Sequence, residues 1–430
     1  MTGIAIGVTV LLFVLLLAGM PVAFTMLVTG AAGLYLTGGI YPLIGVLKAT
    51  PYEHVASYTM STLPMFILMA EFLTAGRFTR DLFATSHSWL GHMRGGIAYA
   101  AVAGGVMLSA VCGSSTAAAG TLASAAYPEM RRYGYNDSFS TGALAVIGTL
   151  AIMIPPSIGL ILFGVFTETS IGALLMAGLL PGALTAVGYV ITIAVIVRRN
   201  PDTAPVAGEP APMRERLVGL KTVWPILLLM GAMIGAIYSG AITPTEVGAV
   251  GALAALGIAV VMGRMGRKDF FHALATATRH SAMILAIIAC SAVFGIFLTL
   301  TGVTQDLLVA IQAADIHPYL VLFAVLLLLL VLGFFLDQLA ILVLTLPLTF
   351  PLLSGLGFDA VWLGILFVKT AEIGLITPPM GINVFVVAST TGVPVSKVFR
   401  GVWPFVAAEL VVLALLVAFP AISLWFPGRM

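Results

Sequence analysis

The side chains able to do chemistry in this chain are mostly neutral oxygen donors set among apolar neighbours. "CGSSTAAAG" (112–120) puts Gly113, Ser114, Ser115 and Thr116 side by side, and "GTLAIMIPPSIGLILF" (148–163) carries Thr149, then Pro155-Pro156, then Ser157. In the second half, Asp337-Gln338 centres the apolar run 318–353, and "AEIGLITPPMGINVFV" (371–386) carries Thr377 followed by Pro378-Pro379. Adjacent prolines withdraw N–H donors and free carbonyls one turn earlier, around Ala151 and Ile152 and around Gly374 and Leu375. Freed carbonyls, hydroxyls and half-helix C-termini make an oxygen cage suited to a hard monovalent cation. Half-helix N-termini, with Ser115 as a cap, offer donors to an anion. On this reading Gly113, Ser114, Ser115, Thr149, Ala151, Ile152 and Ile154 surround one such cation. Asp337, Gln338, Gly374, Leu375, Ile376 and Thr377 surround a second. Ser115, Thr116, Pro156, Ser157, Gln338 and Pro379 are assigned to the substrate, and Pro155, Pro156, Pro378 and Pro379 are the structural breaks.

Other chemistries fit poorly. An intramembrane serine hydrolase needs a histidine base beside its serine, and the six histidines are scattered near expected segment ends. Thr121 follows Gly120 where a phosphate-binding loop needs lysine. Cys112 and Cys290 provide neither a disulfide framework nor a metal site. The net charge of +2 gives no reason to invoke nucleic acid. No enzyme and no cofactor is expected, only a coupling ion. Among charged residues, Lys369 and Glu372 are three apart, close enough to pair on a helix. Asp337 reads as a helix cap or a cation ligand, Glu71 as a scaffold or subunit contact, and Glu246 in "TPTE" as a helix-start signal.

These residues need a membrane to position them. Hydrophobic residues make up 60% of the 430 and charged ones 8%, against about 25% charge in a soluble chain. A span needs roughly 20 residues. The stretch 4–47, interrupted at Gly19-Met20-Pro21, is long enough for two, and further spans are expected at 56–76, 171–197, 222–239, 245–262, 280–300 and 402–427. The segments 77–94 and 264–279 carry clustered charge and read as interfacial amphipathic helices. The Pro-rich, charged stretch 198–221 reads as a linker. Arg94, Arg131, Arg132, the linker, Arg264 to Lys268, Lys397 and Arg400 should be cytoplasmic. Loops near Glu168, 243–246, 301–317 and 354–359 lack Lys and Arg and should face outside.

The two proline pairs lie 223 residues apart, and that offset also pairs Pro128 with Pro351 and Gly134 with Gly357. Residues 95–130 begin and end on the basic side and read as a re-entrant hairpin with its tip at Gly113-Ser114-Ser115. Residues 318–353, with their centre at Asp337-Gln338, begin and end on the other side. An inverted repeat follows, with ion and substrate near the bilayer midplane. A backbone break at that depth persists only where protein or a hydrated cavity supplies partners.

"CGSSTAAAGTLASAAYPEM", "GTLAIMIPPSIGLILFGVFTETSIGALLMAGLLPG", "GAITPTEVGAVGALAALG" and "AEIGLITPPMGINVFVVASTTG" resemble the large membrane subunit of TRAP transporters, the DctM-like family of the ion transporter superfamily. The resemblance runs over nearly the whole chain. It implies an all-α polytopic, elevator-type inverted-repeat transporter with two re-entrant hairpins and two broken helices. It also implies sodium symport of an organic acid (carboxylate, dicarboxylate or sugar acid) across the bacterial inner membrane. The partners it implies are a separate small four-helix membrane subunit and a periplasmic substrate-binding protein. The expected parts are scaffold and arm at 1–94, first hairpin and broken helix at 95–165, scaffold helix at 166–197 and linker at 198–221. Scaffold and arm of the second half follow at 222–317, then second hairpin and broken helix at 318–390 and a C-terminal helix at 391–430. A stand-alone sodium-coupled carboxylate carrier of the same superfamily is the alternative.

Overall fold

The computed structural model describes residues 2–206 and 210–429, and these form an all-helical chain with one isolated strand bridge between Arg94 and Val206. Among the described residues six helices are long and apolar enough to cross a membrane, or up to eight if each of two bent pairs is one span. One group of helices covers the parts expected as scaffold: α1 (Thr2–Leu17), α2 (Val22–Gly38), α3 (Ile40–Val55), α4 (Thr62–Ala75), α12 (Met213–Tyr238), α13 (Pro244–Val261) and α14 (Arg267–Thr301). Within it α4 packs on α13, and α14 packs on α2, α3 and α4.

The second group contains the hairpins and broken helices. Hairpin one is α6 (Gly96–Cys112) and α7 (Ser115–Arg132), and hairpin two is α16 (Pro318–Gly333) and α17 (Gln338–Gly355). The first broken helix is α8 (Asp137–Ile147) with the single turn α9 (Leu150–Met153), a gap at 154–157, and α10 (Ile158–Thr167). The second is α18 (Ala360–Ile376) and α19 (Ile382–Thr391). The offset of 223 read from the prolines aligns these elements: α7 and α17 begin and end in register, as do the starts of α8 and α18. It also aligns the side-chain caps, Ser114 with Asp337 and Asn136 with Asp359. Pro155-Pro156 and Pro378-Pro379 are both cis.

The helix α20 (Val395–Ala418) runs the length of this second group. Near its start, Ser138 donates to the Lys397 carbonyl at 2.6 Å and Lys397 Nζ lies 3.9 Å from Asp137. Near its end, Trp362 Nε1 donates to the Leu416 carbonyl at 2.9 Å. The two broken helices therefore start at opposite ends of α20, a separation of roughly 28 Å at 1.5 Å per residue. Such close crossing needs small residues. A Cβ on Gly142 of α8 would lie 2.3 Å from the Gly401 backbone of α20.

Several expected boundaries are corrected. The second N-terminal span ends at Gly38 rather than 47, because Gly39, at φ 77°, starts a new helix. The span expected at 56–76 is helical only from Thr62, after a 3₁₀ turn at Tyr58–Ser61, and makes a 55° bend with α3. The charged segment 264–279 and the span 280–300 are one helix, α14. No Pro or Gly interrupts it before Gly295, so the change in charge alters its environment but not its backbone. By contrast, the arm at 77–94 is a separate helix, α5 (Phe78–Leu90), ended by Gly91. The stretch 301–317 contains α15 (Val303–Ala313). Helix α11 (Ile171–Arg199), expected in the scaffold, packs on α20, α10, α18, α6 and α9 and also on α12. Of the expected linker, residues 207–209 lie outside the described residues. Its first part is docked, with Gly95 N–H bonded to the Ala204 carbonyl at 3.2 Å and Asn136 N–H to Thr203 at 2.9 Å. Its last part is already α12.

Candidate functional site

Each hairpin tip is built by a cap. Gly113, at φ 55° in the left-handed region, ends α6, and Ser114 Oγ accepts the Ala117 N–H to start α7. The expected cap, Ser115, is instead the first helical residue, and its hydroxyl donates to Asn383 Oδ1 on α19 at 3.4 Å. At the second tip Asp337 Oδ1 accepts the Ala340 N–H at 3.0 Å, so it does act as a cap. The tips abut the breaks. A Cβ on Gly113 would lie 3.5 Å from the Pro156 carbonyl, and one on Gly159 would lie 2.6 Å from Gln338 Nε2.

At the first break Pro155 and Pro156 have no N–H to give Ala151 and Ile152, while Ser157 Oγ caps α10 by accepting the Leu160 N–H at 3.2 Å. At the second, the Gly374 carbonyl is not left free as expected, because it accepts the Thr377 N–H at 3.1 Å. Leu375 keeps a carbonyl with no donor one turn on, since Pro379 stands there. Thr377 Oγ1 donates to the Ile373 carbonyl at 2.5 Å.

Both tips open into one cavity of about 380 Å³. Gly113, Ser114, Ser115, Thr116, Asp337 and Gln338 line it, with Ile152 and Leu375 from the turns before the breaks. The opposite wall is scaffold, with Glu71 and Thr74 on α4 and His280 on α14. Glu71 Oε1 lies 3.2 Å from His280 Nδ1, a contact across the scaffold. Thr149, Ala151, Ile154, Pro156, Ser157, Gly374, Ile376, Thr377 and Pro379 are not among the lining residues. Two buried amides, Gln338 at the second tip and Asn383, whose Oδ1 accepts from Ser115, keep unpartnered nitrogens.

Thr149 belongs to a different cluster. Its Oγ1 donates to the Val146 carbonyl at 2.8 Å and lies 2.7 Å from the Tyr189 hydroxyl of α11. Tyr189 in turn donates to Glu409 on α20. Lys369 is ion-paired with Glu409, not with its helix neighbour Glu372. Glu246 forms the expected capping box with Thr243.

Asn383, Glu409, Tyr189 and His280 were not singled out from the sequence. The available signal was a lone polar residue inside an apolar helix, which at membrane depth is functional by default. Cutting the chain at 280 had placed His280 at a segment end instead of inside α14.

The description "Tripartite ATP-independent periplasmic transporter, DctM component" matches residues 9–422. The chain is 35% identical to the C4-dicarboxylate TRAP transporter large permease protein DctM of Pseudomonas aeruginosa, over 88% of each chain. It is 32% identical to the sialic acid TRAP transporter large permease protein SiaM of Vibrio cholerae, over 96% of each. The crystal structure of the Alcanivorax borkumensis YdaH transporter superposes with a TM-score of 0.69 at 12% identity, covering 93% of this chain and 97% of that one. That last likeness is one of fold. With hairpins, broken helices and a shared cavity laid out as above, the chain belongs to the DctM component family of tripartite ATP-independent periplasmic transporters, multi-pass membrane proteins that are transporters and not enzymes.

Proposed function

We propose that this chain is the large translocating subunit of a sodium-coupled TRAP transporter that carries an organic acid across the bacterial inner membrane by an elevator movement. The observation that carries the proposal is the single cavity bounded on one side by both hairpin tips and on the other by α4 and α14. A body holding the tips and sliding against that wall would carry the cavity's contents with it. Neutral oxygens near the breaks suit sodium, and the capped N-termini of α7 and α17 suit an anionic substrate. The inverted orientation of the two halves is supported by α20, whose opposite ends meet the starts of the two broken helices. Relatives named for C4-dicarboxylate and for sialic acid support an organic acid as the substrate, with the particular acid left to the binding protein. In this reading a small four-helix subunit completes the scaffold, and a periplasmic binding protein delivers the substrate.

The test is uptake of an acid in proteoliposomes containing this chain, its small subunit and the binding protein. An inward sodium gradient should be required. Transport undiminished when potassium replaces sodium on both sides would overturn sodium coupling, and full uptake without a binding protein would point to a stand-alone carrier.

A further inference from the structure

The wall that faces the hairpin tips across the cavity is apolar, with residues such as Ile67 and Ile287, except around Glu71, Thr74 and His280. Glu71 and His280 are both part-exposed, and both line the cavity. Glu71 Oε1 lies 3.2 Å from His280 Nδ1. A carboxylate oxygen only accepts, so the ring proton sits on Nδ1. Stapling α4 to α14 in this way uses one atom of each side chain. The other two, Glu71 Oε2 and His280 Nε2, have no partner among the described residues.

Charge decides what can meet those two atoms. Among the described residues no Lys or Arg lines the cavity, and Asp337, its other acid, belongs to the second tip, where it caps α17. The features that attract a carboxylate, the capped N-termini of α7 and α17, are all on the tip side. The opposite wall offers a carboxylate and an imidazole that donates to it.

We propose that the substrate is a monocarboxylate with an uncharged, hydroxyl-bearing far end, held with its carboxylate at the tips and its hydroxyls against Glu71 Oε2 and His280 Nε2. This names the substrate class within the transport reading above and rests on it. A hydroxyl can donate to either atom, the carboxylate oxygen or Nε2 of the neutral ring. A second carboxylate at that end would face Glu71, and like charges brought together out of bulk water repel. A hydrocarbon end would leave both polar atoms without a partner. The binding protein picks the particular acid, and the wall limits the class it can hand over.

Three acids of equal chain length separate these cases. Gluconate has one carboxylate and a hydroxylated tail, hexanoate has the carboxylate without the hydroxyls, and glucarate is gluconate with a second carboxylate at the far end. Their binding to the purified chain with its small subunit, in lipid nanodiscs and saturating sodium, is measured by calorimetry. Gluconate should bind about tenfold more tightly than either of the others. Glu71→Gln removes the charge and keeps the shape, and it should close the gap to glucarate. His280→Asn keeps a nitrogen where Nδ1 meets Glu71 but has none at the Nε2 position. It should narrow the gap to hexanoate while melting as the native protein does. Native binding of glucarate or of hexanoate as tight as that of gluconate overturns the proposal, and so do preferences that both variants keep. The native comparison and Glu71→Gln decide the matter even where His280→Asn does not accumulate. Binding of none of the three acids at millimolar concentration overturns the reading that this cavity holds an acid, and the proposal with it. Binding of all three alike overturns the role of the wall alone.

Discussion

At the scale of single residues, Ser115 and Thr377 show what one hydroxyl contributes. The Ser115 hydroxyl donates to Asn383 and the Thr377 hydroxyl to the Ile373 carbonyl, so each proton is committed and the oxygen lone pairs remain for a cation. Losing one neutral ligand costs about 1 to 3 kcal/mol. If both hydroxyls ligate sodium as proposed, Ser115→Ala and Thr377→Ala should each raise the half-saturating sodium concentration about tenfold, with accumulation and small-subunit binding near normal. An unchanged sodium titration in both variants would leave the proline pairs as architecture only. The tips were legible because Ser114, Ser115, Thr116, Asp337 and Gln338 are polar islands in apolar sequence. The partner of Lys369 was not. Spacing along one helix favoured Glu372, whereas the pairing depends on how α18 crosses α20, which local spacing does not reveal. Thr149 was read as a cage ligand for the same reason, and its neighbours across helices turn out to be Tyr189 and Glu409.

At the scale of elements, helix ends marked by Gly, Pro and cap residues were mostly readable, with the break at Gly39 missed, and those marked only by a change in charge were not. Hairpin two was expected at 318–353 and is found at 318–355, because Pro318, Asp337 and Gly357 punctuate it. Helix α14 ran through its expected boundary because nothing in 264–280 stops a helix once it has begun. Helix α5 is an element whose docking has a pH signature. It packs on α6 and α12, with Arg264 ion-paired to Asp81 and its guanidinium 4.8 Å from the Phe78 ring. His87 stacks on Phe83 at 6.1 Å, and its Nε2 has no hydrogen-bond partner. Burial holds this imidazole below its ordinary range, against a weaker opposing pull from Glu129. Below about pH 6.5 the unfolded chain takes a proton on His87 that the folded chain resists, so stability present above that pH is lost as the pH falls. Thermal unfolding of the native protein should shift down on acidification, and His87→Phe should flatten that slope. An equal slope in both proteins would show that α5 docking does not depend on His87.

At the scale of the whole molecule, the question is whether the two halves face opposite sides of the membrane. The docked part of the linker bonds to Gly95 at the base of hairpin one and to Asn136 at the start of α8, and Asp137 and Ser138 then reach Lys397. This gathers the linker, Arg94 and Lys397 at one end, the arrangement that positive charge on the cytoplasmic side favours. The base of hairpin two packs where Tyr319 meets Phe358 at 5.3 Å and Trp362 reaches Leu416, at the far end of α20. Single cysteines at the exposed positions Arg214 and Ala313 report on the two ends. The native Cys112, which lines the cavity, and Cys290 are first replaced so that each variant carries one cysteine. With a membrane-impermeant maleimide on sealed right-side-out vesicles, Ala313→Cys should react and Arg214→Cys should not, and on inverted vesicles the pattern should reverse. Reaction of both from one face would refute the inverted arrangement. It would leave two halves of the same order and orientation, in which the cavity between the tips could not be offered to the two sides in turn by the sliding movement proposed.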